Sequence, residues 1–333
     1  PADRYIDAPV VGGHEFVGEV VELGPGVTDL AVGDRVVSEQ IVPCGDCRFC
    51  REGTYWMCTR SAVYGFKSVC EGGFAEYVKL PTTAVNHKVP ATLSVEQAAL
   101  VEPIACGMHA LEQANLRHSD VVVIAGLGGI GLAMLSIAAS AMPRLLIGVD
   151  VRKDRLAKGV EFGADIVLDP TACDLEQELR KLTDGLGCDV YLEASGSAAS
   201  VNQGLICLRN HGRYIQLGVF ADTVTADWNI IGDGKELTII GSHLSGLSRC
   251  DQGHRVRPDS HRRPRDPHLP ARGLGTSLRG GRGRAERTQG PPRPMSRLAH
   301  LTSGVSLRSH GLRDARWAAP PVGEPAASAR CLR

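Results

Sequence analysis

The chain has 333 residues, enough for two domains, and equal numbers of basic and acidic side chains give it a formal net charge of zero at pH 7. No run of about 20 apolar residues occurs in it, so we expect no membrane-spanning segment. Eleven cysteines in a chain without an apolar leader are typical of intracellular thiols and metal ligands, which predicts a cytoplasmic protein.

The charge is divided unevenly along the chain. Residues 1–250 carry 20 basic and 31 acidic side chains, whereas residues 251–333 carry 17 arginines, no lysine and six acidic side chains. The second segment also has ten glycines and ten prolines but lacks Ile, Phe, Tyr and Asn altogether. Such a composition buries too little apolar surface to offset the entropy cost of ordering the backbone. We therefore expect an aberrant, disordered basic tail over residues 249–333.

Two origins of this tail stay open. Its excess of Arg, Pro, Gly, Ala and Ser is what a GC-rich gene gives when it is read out of frame, which suggests a frame slip near residues 248–251. A genuine Arg-Gly arm would instead bind nucleic acid through its phosphates, in a salt-sensitive way. Nucleic acid is the less favoured partner, because Trp317 is the only aromatic residue that interleaves the arginines.

From residue 15 the chain alternates short β-branched runs with glycine and proline, as in EFVGEVVELGPGV and VGDRVVSEQIV. This pattern is typical of antiparallel strands joined by tight turns, and the run FAEYVKL predicts another strand at residues 74–80. Just before the first strand, Gly12 and Gly13 lead to His14 and Glu15, an imidazole beside a carboxylate. Taken alone, such a pair is more often an ordinary surface pair than a metal site.

A cysteine-rich lobe follows at residues 44–58. Its four cysteines have the spacing C-x2-C-x2-C-x7-C and are Cys44, Cys47, Cys50 and Cys58. Four thiolates within one loop can surround a single zinc ion tetrahedrally and leave no open position, as in structural zinc sites. The alternative is a pair of disulfides, which a reducing compartment disfavours. The spacing therefore predicts a structural zinc.

The sequence VVVIAGLGGIGLAMLSIAASA reads as a buried strand, a glycine turn and an apolar helix. The turn has the G-x-G-x-x-G spacing, and its residues are Gly126, Leu127, Gly128, Gly129, Ile130 and Gly131. Glycines allow the tight turn and the close approach of a pyrophosphate, which the helix N-terminus binds. Asp150 ends the next strand, where a carboxylate accepts from the ribose hydroxyls and repels a 2′-phosphate. NAD is therefore the expected cofactor, although Arg152 and Arg155 nearby leave NADP open.

Helices and apolar strands then alternate to the end of ELTIIGSH. Helices are predicted near residues 153–163, 174–183 and 198–209, and the pattern contains six strands, the last at ELTIIGSH. Near-continuous apolar strands alternating with helices predict an α/β fold with a doubly wound parallel sheet. Ser195 lies at the end of the fourth strand, the edge where such sheets meet a cofactor, although EASGS is equally compatible with a simple turn.

These motifs together resemble the zinc-containing medium-chain alcohol and polyol dehydrogenases, over about residues 9–248. The segments GHEFVGEVVELGPGV, VGDRV, the cysteine lobe, GGFAEYV, EP-x-A-C, GLGGIG and EASGS follow the order of that family. Within it, the chain is similar to the sorbitol and erythritol/threitol dehydrogenase branch. The resemblance implies a partial GroES-like catalytic domain at 1–105, a Rossmann NAD-binding domain at 106–248, and a tail outside both at 249–333. It also implies a homodimer or homotetramer formed through the edge strand of the Rossmann sheet.

The resemblance further implies a catalytic zinc between the two domains. His14 matches the histidine of the family's G-H-E motif, Glu15 its neighbouring acid, and Glu102 the acidic position of the polyol branch. Such a zinc polarises a secondary hydroxyl of a small polyol or alcohol while hydride passes to NAD. Arg155 and Ser195 are expected at the cofactor. Without the resemblance, Glu102 would be interpreted as an acidic residue at the start of a helix, just before Pro103, where its charge interacts favourably with the helix dipole.

Two features depart from the family pattern. The family has a further zinc-binding cysteine upstream of G-H-E, whereas this chain begins 13 residues before His14 and contains no such cysteine there. We therefore expect an N-terminal truncation. The segment that completes the β domain in the family also has no counterpart after residue 249. The alternative to an active dehydrogenase is thus a non-catalytic remnant that retains the structural zinc and the dinucleotide fold.

Overall fold

The computed structural model describes residue 6 and residues 9–66, 69–244 and 305–309. The described residues include a short 3-10 helix at Tyr55–Met57 and a short π-helix at Ile230–Gly234. The helices and strands are β1 (Val17–Leu23), β2 (Arg35–Ser38), β3 (Ile41–Val42), α1 (Arg48–Arg51), β4 (Ala62–Val63), β5 (Tyr77–Leu80), β6 (Asn86–Lys88), α2 (Val95–Ala99), α3 (Val101–Ala114), β7 (Val121–Ala125), α4 (Gly129–Ser140), β8 (Leu145–Val149), α5 (Lys153–Glu161), β9 (Ile166–Leu168), α6 (Leu175–Leu182), β10 (Cys188–Glu193), α7 (Ala198–Cys207), β11 (Leu208–Gln216), β12 (Thr238–Gly241) and β13 (Val305–Ser309).

The first sheet is antiparallel and has the strand order β5-β13-β1-β2-β6. Its apolar core includes Val20, Val36 and Leu80, all without solvent exposure. The strands predicted within EFVGEVVELGPGV, VGDRVVSEQIV and FAEYVKL are confirmed as β1, β2 and β5. A separate ribbon of β3 and β4 leads into and out of the cysteine lobe.

Strand β13 was not predicted, because it comes from the segment expected to lack regular structure. It lies between β1 and β5, where Leu307 pairs with Val20 on one side and with Val78 on the other. Leu307 is fully buried in the core of this sheet. Val305 and Leu307 alternate with Ser306 and Arg308, a pattern typical of a strand with one buried face. The expectation of a disordered tail therefore does not hold for residues 305–309, and the rest of that prediction lies outside the described residues.

The second sheet is parallel and has the order β12-β11-β10-β7-β8-β9. All six strands predicted from the sequence are present, and α3, α4 and α5 cover one face while α6 and α7 cover the other. This doubly wound arrangement confirms the predicted fold class. Strand order reverses between β7 and β10, and ligands of such sheets bind outside the carboxyl ends of the strands at that reversal.

Helices α2 and α3 lead from the first sheet into the second. Helix α2 begins with a capping box, in which Ser94 and Gln97 exchange side-chain to backbone hydrogen bonds. Helix α3 runs across residues 105 and 106, where the sequence suggested a division between domains. Within the described residues, no helix is long and apolar enough to cross a membrane.

Candidate active site

Three side chains from distant parts of the sequence meet at the junction of β1 and α3. His14 and Glu15 precede β1, and Glu102 lies in the first turn of α3. Their potential ligand atoms all lie within 4.8 Å of one another. The structure thus brings together the three residues predicted to hold a catalytic metal, and we refer to them as the acidic cluster.

Backbone hydrogen bonds hold the segment that leads to His14. The carbonyls of Gly12 and Gly13 accept hydrogen bonds from the N–H groups of Phe74 (3.0 Å) and Gly73 (2.8 Å). Gly13 has a φ of 96°, and a Cβ there would lie 2.9 Å from the Phe74 ring. Gly13 is therefore needed for the two segments to approach, and this approach fixes the backbone next to His14.

The environment of the acidic cluster matches a bound cation. Burial lowers the pKa of His14, with the charge of Glu15 acting in the opposite direction. Burial and then the charge of Glu15 raise the pKa of Glu102 to about 7. A neutral imidazole is the form that binds metal, and a cation would favour the ionised carboxylates. One nitrogen and two carboxylates are a donor set that suits zinc and leaves a position open for water or substrate. The residues present therefore fit the catalytic zinc.

A series of polar contacts connects Glu102 to Gln40. The Cys106 thiol donates to Glu102 Oε1 (3.5 Å), and Gln40 Nε2 donates to the Cys106 sulfur (3.7 Å). Gln40 is fully buried, and its Oε1 has no hydrogen-bond partner in the described part of the chain. The apolar surroundings of Cys106 in the sequence predict a small buried hydrophobe; the residue is buried, but its thiol contacts a carboxylate.

The four sulfurs of the cysteine lobe are separated by distances that suit the coordination of one metal ion. The Sγ–Sγ distances are 3.5 Å for Cys47–Cys50, 3.8 Å for Cys47–Cys58 and 4.0 Å for Cys44–Cys50. A tetrahedral zinc with Zn–S bonds of about 2.3 Å separates its sulfurs by about 3.8 Å. These distances are much longer than a disulfide bond of about 2.05 Å, and all four cysteines are free thiols. The geometry fits zinc and not the alternative of two disulfides.

The pKa values of two thiols in the lobe are consistent with metal binding. The backbone N–H of Cys50 is the main cause that lowers the pKa of the Cys47 thiol to about 6, which favours its thiolate form. Burial, followed by the contact with Cys47, raises the pKa of the Cys50 thiol to about 12. Ionising Cys50 together with Cys47 at neutral pH therefore requires a cation that displaces the Cys50 proton.

The lobe is attached to the elements that carry the acidic cluster. The Tyr55 hydroxyl donates to Glu39 Oε1 (2.9 Å), and His87 Nε2 lies 2.9 Å from the same oxygen. The Trp56 ring packs edge-on against His109 of α3, with centroids 5.5 Å apart. Glu39 is fully buried. The cysteine lobe thus contacts both the chain after β2 and the helix that bears Glu102.

The glycine turn between β7 and α4 has the tight geometry that its sequence predicts. Gly126 adopts a φ of 94°, and a Cβ on Gly131 would lie 1.8 Å from the Gly126 carbonyl oxygen. A Cβ on Gly128 would meet no atom within 4 Å. Gly131 is therefore required by the packing of the protein itself, whereas Gly128 leaves open space at the N-terminus of α4. That space is where a pyrophosphate approaches in such turns.

Asp150 lies directly beside this turn. Its carboxylate accepts hydrogen bonds from the backbone N–H groups of Leu127 (2.8 Å) and Arg152 (2.9 Å), and Arg155 Nη1 lies 3.5 Å away. The Arg152 guanidinium pairs instead with Asp154. Ser195 is on the other side of the turn, since a Cβ on Gly126 would lie 2.5 Å from the Ser195 nitrogen. The residues predicted to bind the cofactor therefore surround one turn.

A doubly wound parallel sheet beside a cluster of potential metal ligands is typical of a metal-dependent dehydrogenase. Residues 2–91 match the alcohol dehydrogenase GroES-like domain, and residues 129–255 match the zinc-binding dehydrogenases. The chain belongs to the zinc-containing medium-chain dehydrogenase family, as its motifs predicted, and is an oxidoreductase that uses zinc and a nicotinamide dinucleotide.

Individual relatives support this assignment. The chain is 44% identical to an erythritol/L-threitol dehydrogenase from Mycolicibacterium smegmatis, over 72% of this chain and 67% of the relative. It is 39% identical to a sorbitol dehydrogenase from Halalkalibacterium halodurans, over 71% and 69%. A zinc-binding dehydrogenase from Sinorhizobium meliloti, in a crystal structure with bound NADP, superposes with a TM-score of 0.67 and 31% identity and covers 72% of this chain and 70% of that one.

Proposed function

We propose that the protein oxidises a secondary hydroxyl group of a small polyol, with NAD as the hydride acceptor. The observation that carries the proposal is the acidic cluster, in which His14, Glu15 and Glu102 meet in a family of zinc dehydrogenases. The substrate class comes from the relatives, whose names specify erythritol, L-threitol and sorbitol. These compounds share neighbouring hydroxyl groups on a short carbon chain.

The acidic cluster would hold the catalytic zinc through one imidazole nitrogen and the carboxylates of Glu15 and Glu102. A zinc in this place supplies Lewis acidity, which makes a hydroxyl proton easier to remove. Glu102 is buried and His14 half-buried, whereas Glu15 is exposed, so electrostatic interactions are strengthened on the side of the cluster formed by Glu102 and His14. The lobe of Cys44, Cys47, Cys50 and Cys58 would hold the second, structural zinc.

The preference for NAD is proposed from Asp150. Its carboxylate lies where the adenosine ribose binds in this fold, and its charge opposes a 2′-phosphate. Arg155 and Arg152 are both paired with carboxylates, which reduces their attraction for a phosphate. Replacing Asp150 with serine should therefore increase the ratio of NADP to NAD activity. If the ratio of NADP to NAD activity does not change in this variant, Asp150 is not the source of the preference for NAD.

Assembly is proposed through β12. This strand is the edge of the parallel sheet in the described residues, and Ile239 on it is partly exposed. Pairing of two β12 strands would give a homodimer, and a homotetramer could form from two such dimers. Analytical ultracentrifugation of the chain with Ile239→Lys against the wild type tests this arrangement.

The main experiment is NADH formation by the purified full chain with erythritol, L-threitol, sorbitol and ethanol. We expect activity with polyols, its loss after treatment with a chelator, and recovery on addition of zinc. His14→Ala should abolish the activity, whereas the matched change His211→Ala alters an exposed histidine and should leave it intact. A protein that binds NADH and two zinc ions but oxidises none of these alcohols would refute the proposal.

A further inference from the structure

We infer that Glu193, at the end of β10, is a positioning residue that holds the loop of residues 194–197 against the glycine turn and so sets the affinity for the dinucleotide. The inference rests on the cofactor binding in the proposed function. Glu193 belongs to none of the predicted sites.

The Glu193 carboxylate is completely buried and is surrounded by hydrogen-bond donors. Oε1 accepts from the backbone N–H groups of Ser195 (2.9 Å) and Gly196 (3.1 Å), and also from the Ser195 hydroxyl. Oε2 accepts from Gln216 Nε2 (3.1 Å). Burying a charge is costly unless donors compensate for it. Most of the donors that compensate for the charge of Glu193 belong to the loop of residues 194–197, so the carboxylate favours a single conformation of that loop.

The loop in turn contacts the cofactor turn. A Cβ on Gly126 would lie 2.5 Å from the Ser195 nitrogen and 2.6 Å from the Ser195 Cα, so the two backbones are in direct contact. Any shift of Ser195 towards the turn therefore displaces Gly126, the first glycine of the G-x-G-x-x-G motif. Both segments follow the carboxyl ends of strands that flank the reversal in strand order, namely β7 and β10, which is where ligands bind.

The Ser195 hydroxyl is used within the loop. It donates to Glu193 and accepts from the Ser197 N–H (3.1 Å). This side chain therefore helps to hold the loop, and its backbone is the part that borders the glycine turn. These hydrogen bonds account for an acidic side chain at the buried end of β10.

The orientation of Gln216 makes Glu193 difficult to replace with an amide. Gln216 Nε2 also donates to the Gly218 carbonyl (2.7 Å), and its Oε1 accepts from the Tyr214 hydroxyl (2.9 Å). Rotating the Gln216 amide would turn its oxygen towards the Gly218 carbonyl oxygen and break that hydrogen bond. In Glu193→Gln the new amide nitrogen must consequently face a donor, either Gln216 or the loop backbone.

The test compares NADH binding, measured by fluorescence titration, in wild type, Glu193→Gln and Glu236→Gln. The last variant makes the same chemical change on an exposed side chain. We expect the dissociation constant of Glu193→Gln to rise by about tenfold, equivalent to about 1.4 kcal/mol. Zinc content should stay at the wild-type value, and the KM for NAD should rise while kcat at saturating NAD changes little.

Other outcomes separate this inference from the proposed function. A folded Glu193→Gln protein whose NADH affinity and KM equal those of the wild type would overturn the inference, even if its melting temperature fell. If Glu193→Gln does not fold, Glu193→Asp retains the charge and shortens the side chain by one methylene, and wild-type NADH affinity in that variant would overturn the inference equally. A wild type that binds NADH but oxidises no polyol would refute the substrate proposal and leave the inference standing.

Discussion

Replacing single glycines in the turn between β7 and α4 can separate the demands of folding from those of cofactor binding. In Gly131→Ala the new Cβ would lie 1.8 Å from the Gly126 carbonyl oxygen. Non-bonded heavy atoms are attracted best at about 3.5–4.0 Å, so the backbone must move. In Gly128→Ala no atom of the protein lies within 4 Å of the new Cβ, and the φ of −76° suits alanine.

The two substitutions should therefore differ sharply in their effect on stability. Gly126 cannot move easily, because its N–H donates to the Val149 carbonyl (2.8 Å) and Ser195 lies against its other side. Overpacking typically costs about 1–3 kcal/mol, and a contact with backbone on both sides places Gly131→Ala at about 3 kcal/mol. Gly128→Ala should change the free energy of unfolding by less than about 0.5 kcal/mol.

NADH binding should show a different pattern. The Cβ of Gly128→Ala occupies the space that a pyrophosphate needs, so we expect the affinity to fall by about tenfold or more without loss of stability. Gly131→Ala should lose both affinity and stability. Urea unfolding and fluorescence titration of NADH measure the two quantities. The reasoning is refuted if Gly131→Ala is as stable as the wild type, or if Gly128→Ala binds NADH normally.

Three further predictions concern the ion pair of Arg213 and Asp120, the cysteine lobe and the acidic cluster. Arg213→Met removes the ion pair with buried Asp120 and two hydrogen bonds to backbone carbonyls, so urea unfolding should show a loss of about 3–5 kcal/mol, against about 0–1 kcal/mol for exposed Arg180→Met. Cys47→Ser should lower the zinc content by one ion per chain, by elemental analysis, while a cysteine outside the lobe can be replaced without loss. In zinc-free protein, the raised pKa of Glu102 means that the folded state holds its proton more tightly than the unfolded state. Glu102 should therefore lower the stability by about 3 kcal/mol as the pH rises from about 4.5 to about 7, measured as the difference between the wild type and Glu102→Gln; a Glu102→Gln variant with the same slope as the wild type would contradict this.

Features with a local signal could be predicted from the sequence. The four cysteines lie within residues 44–58, and the glycine turn lies between an apolar strand and an apolar helix, so each motif carries its own context. The six parallel strands are recognisable because each is a short apolar run between helices. His14 and Glu102 are far apart in the sequence, and only the resemblance to a family indicated that they meet.

Features that depend on distant partners could not be predicted in this way. Strand β13 contains five residues in an arginine- and proline-rich region, and its place is fixed by β1 and β5, more than 200 residues earlier in the chain. Glu193 ends an apolar strand before small polar residues, a pattern that also suits an exposed turn. Its donors include Gln216 on the neighbouring strand, which the fold alone brings into contact.

The cysteine lobe is connected to the acidic cluster through a series of side-chain contacts. Tyr55 of the lobe contacts Glu39, and the next residue, Gln40, reaches Cys106, whose thiol contacts Glu102. These contacts form a continuous path from the lobe to a ligand of the acidic cluster. Outer partners of metal ligands typically alter metal affinity or activity by about 10–100-fold. Loss of zinc from the lobe should therefore weaken metal binding at the acidic cluster as well, although none of the four cysteines contacts it.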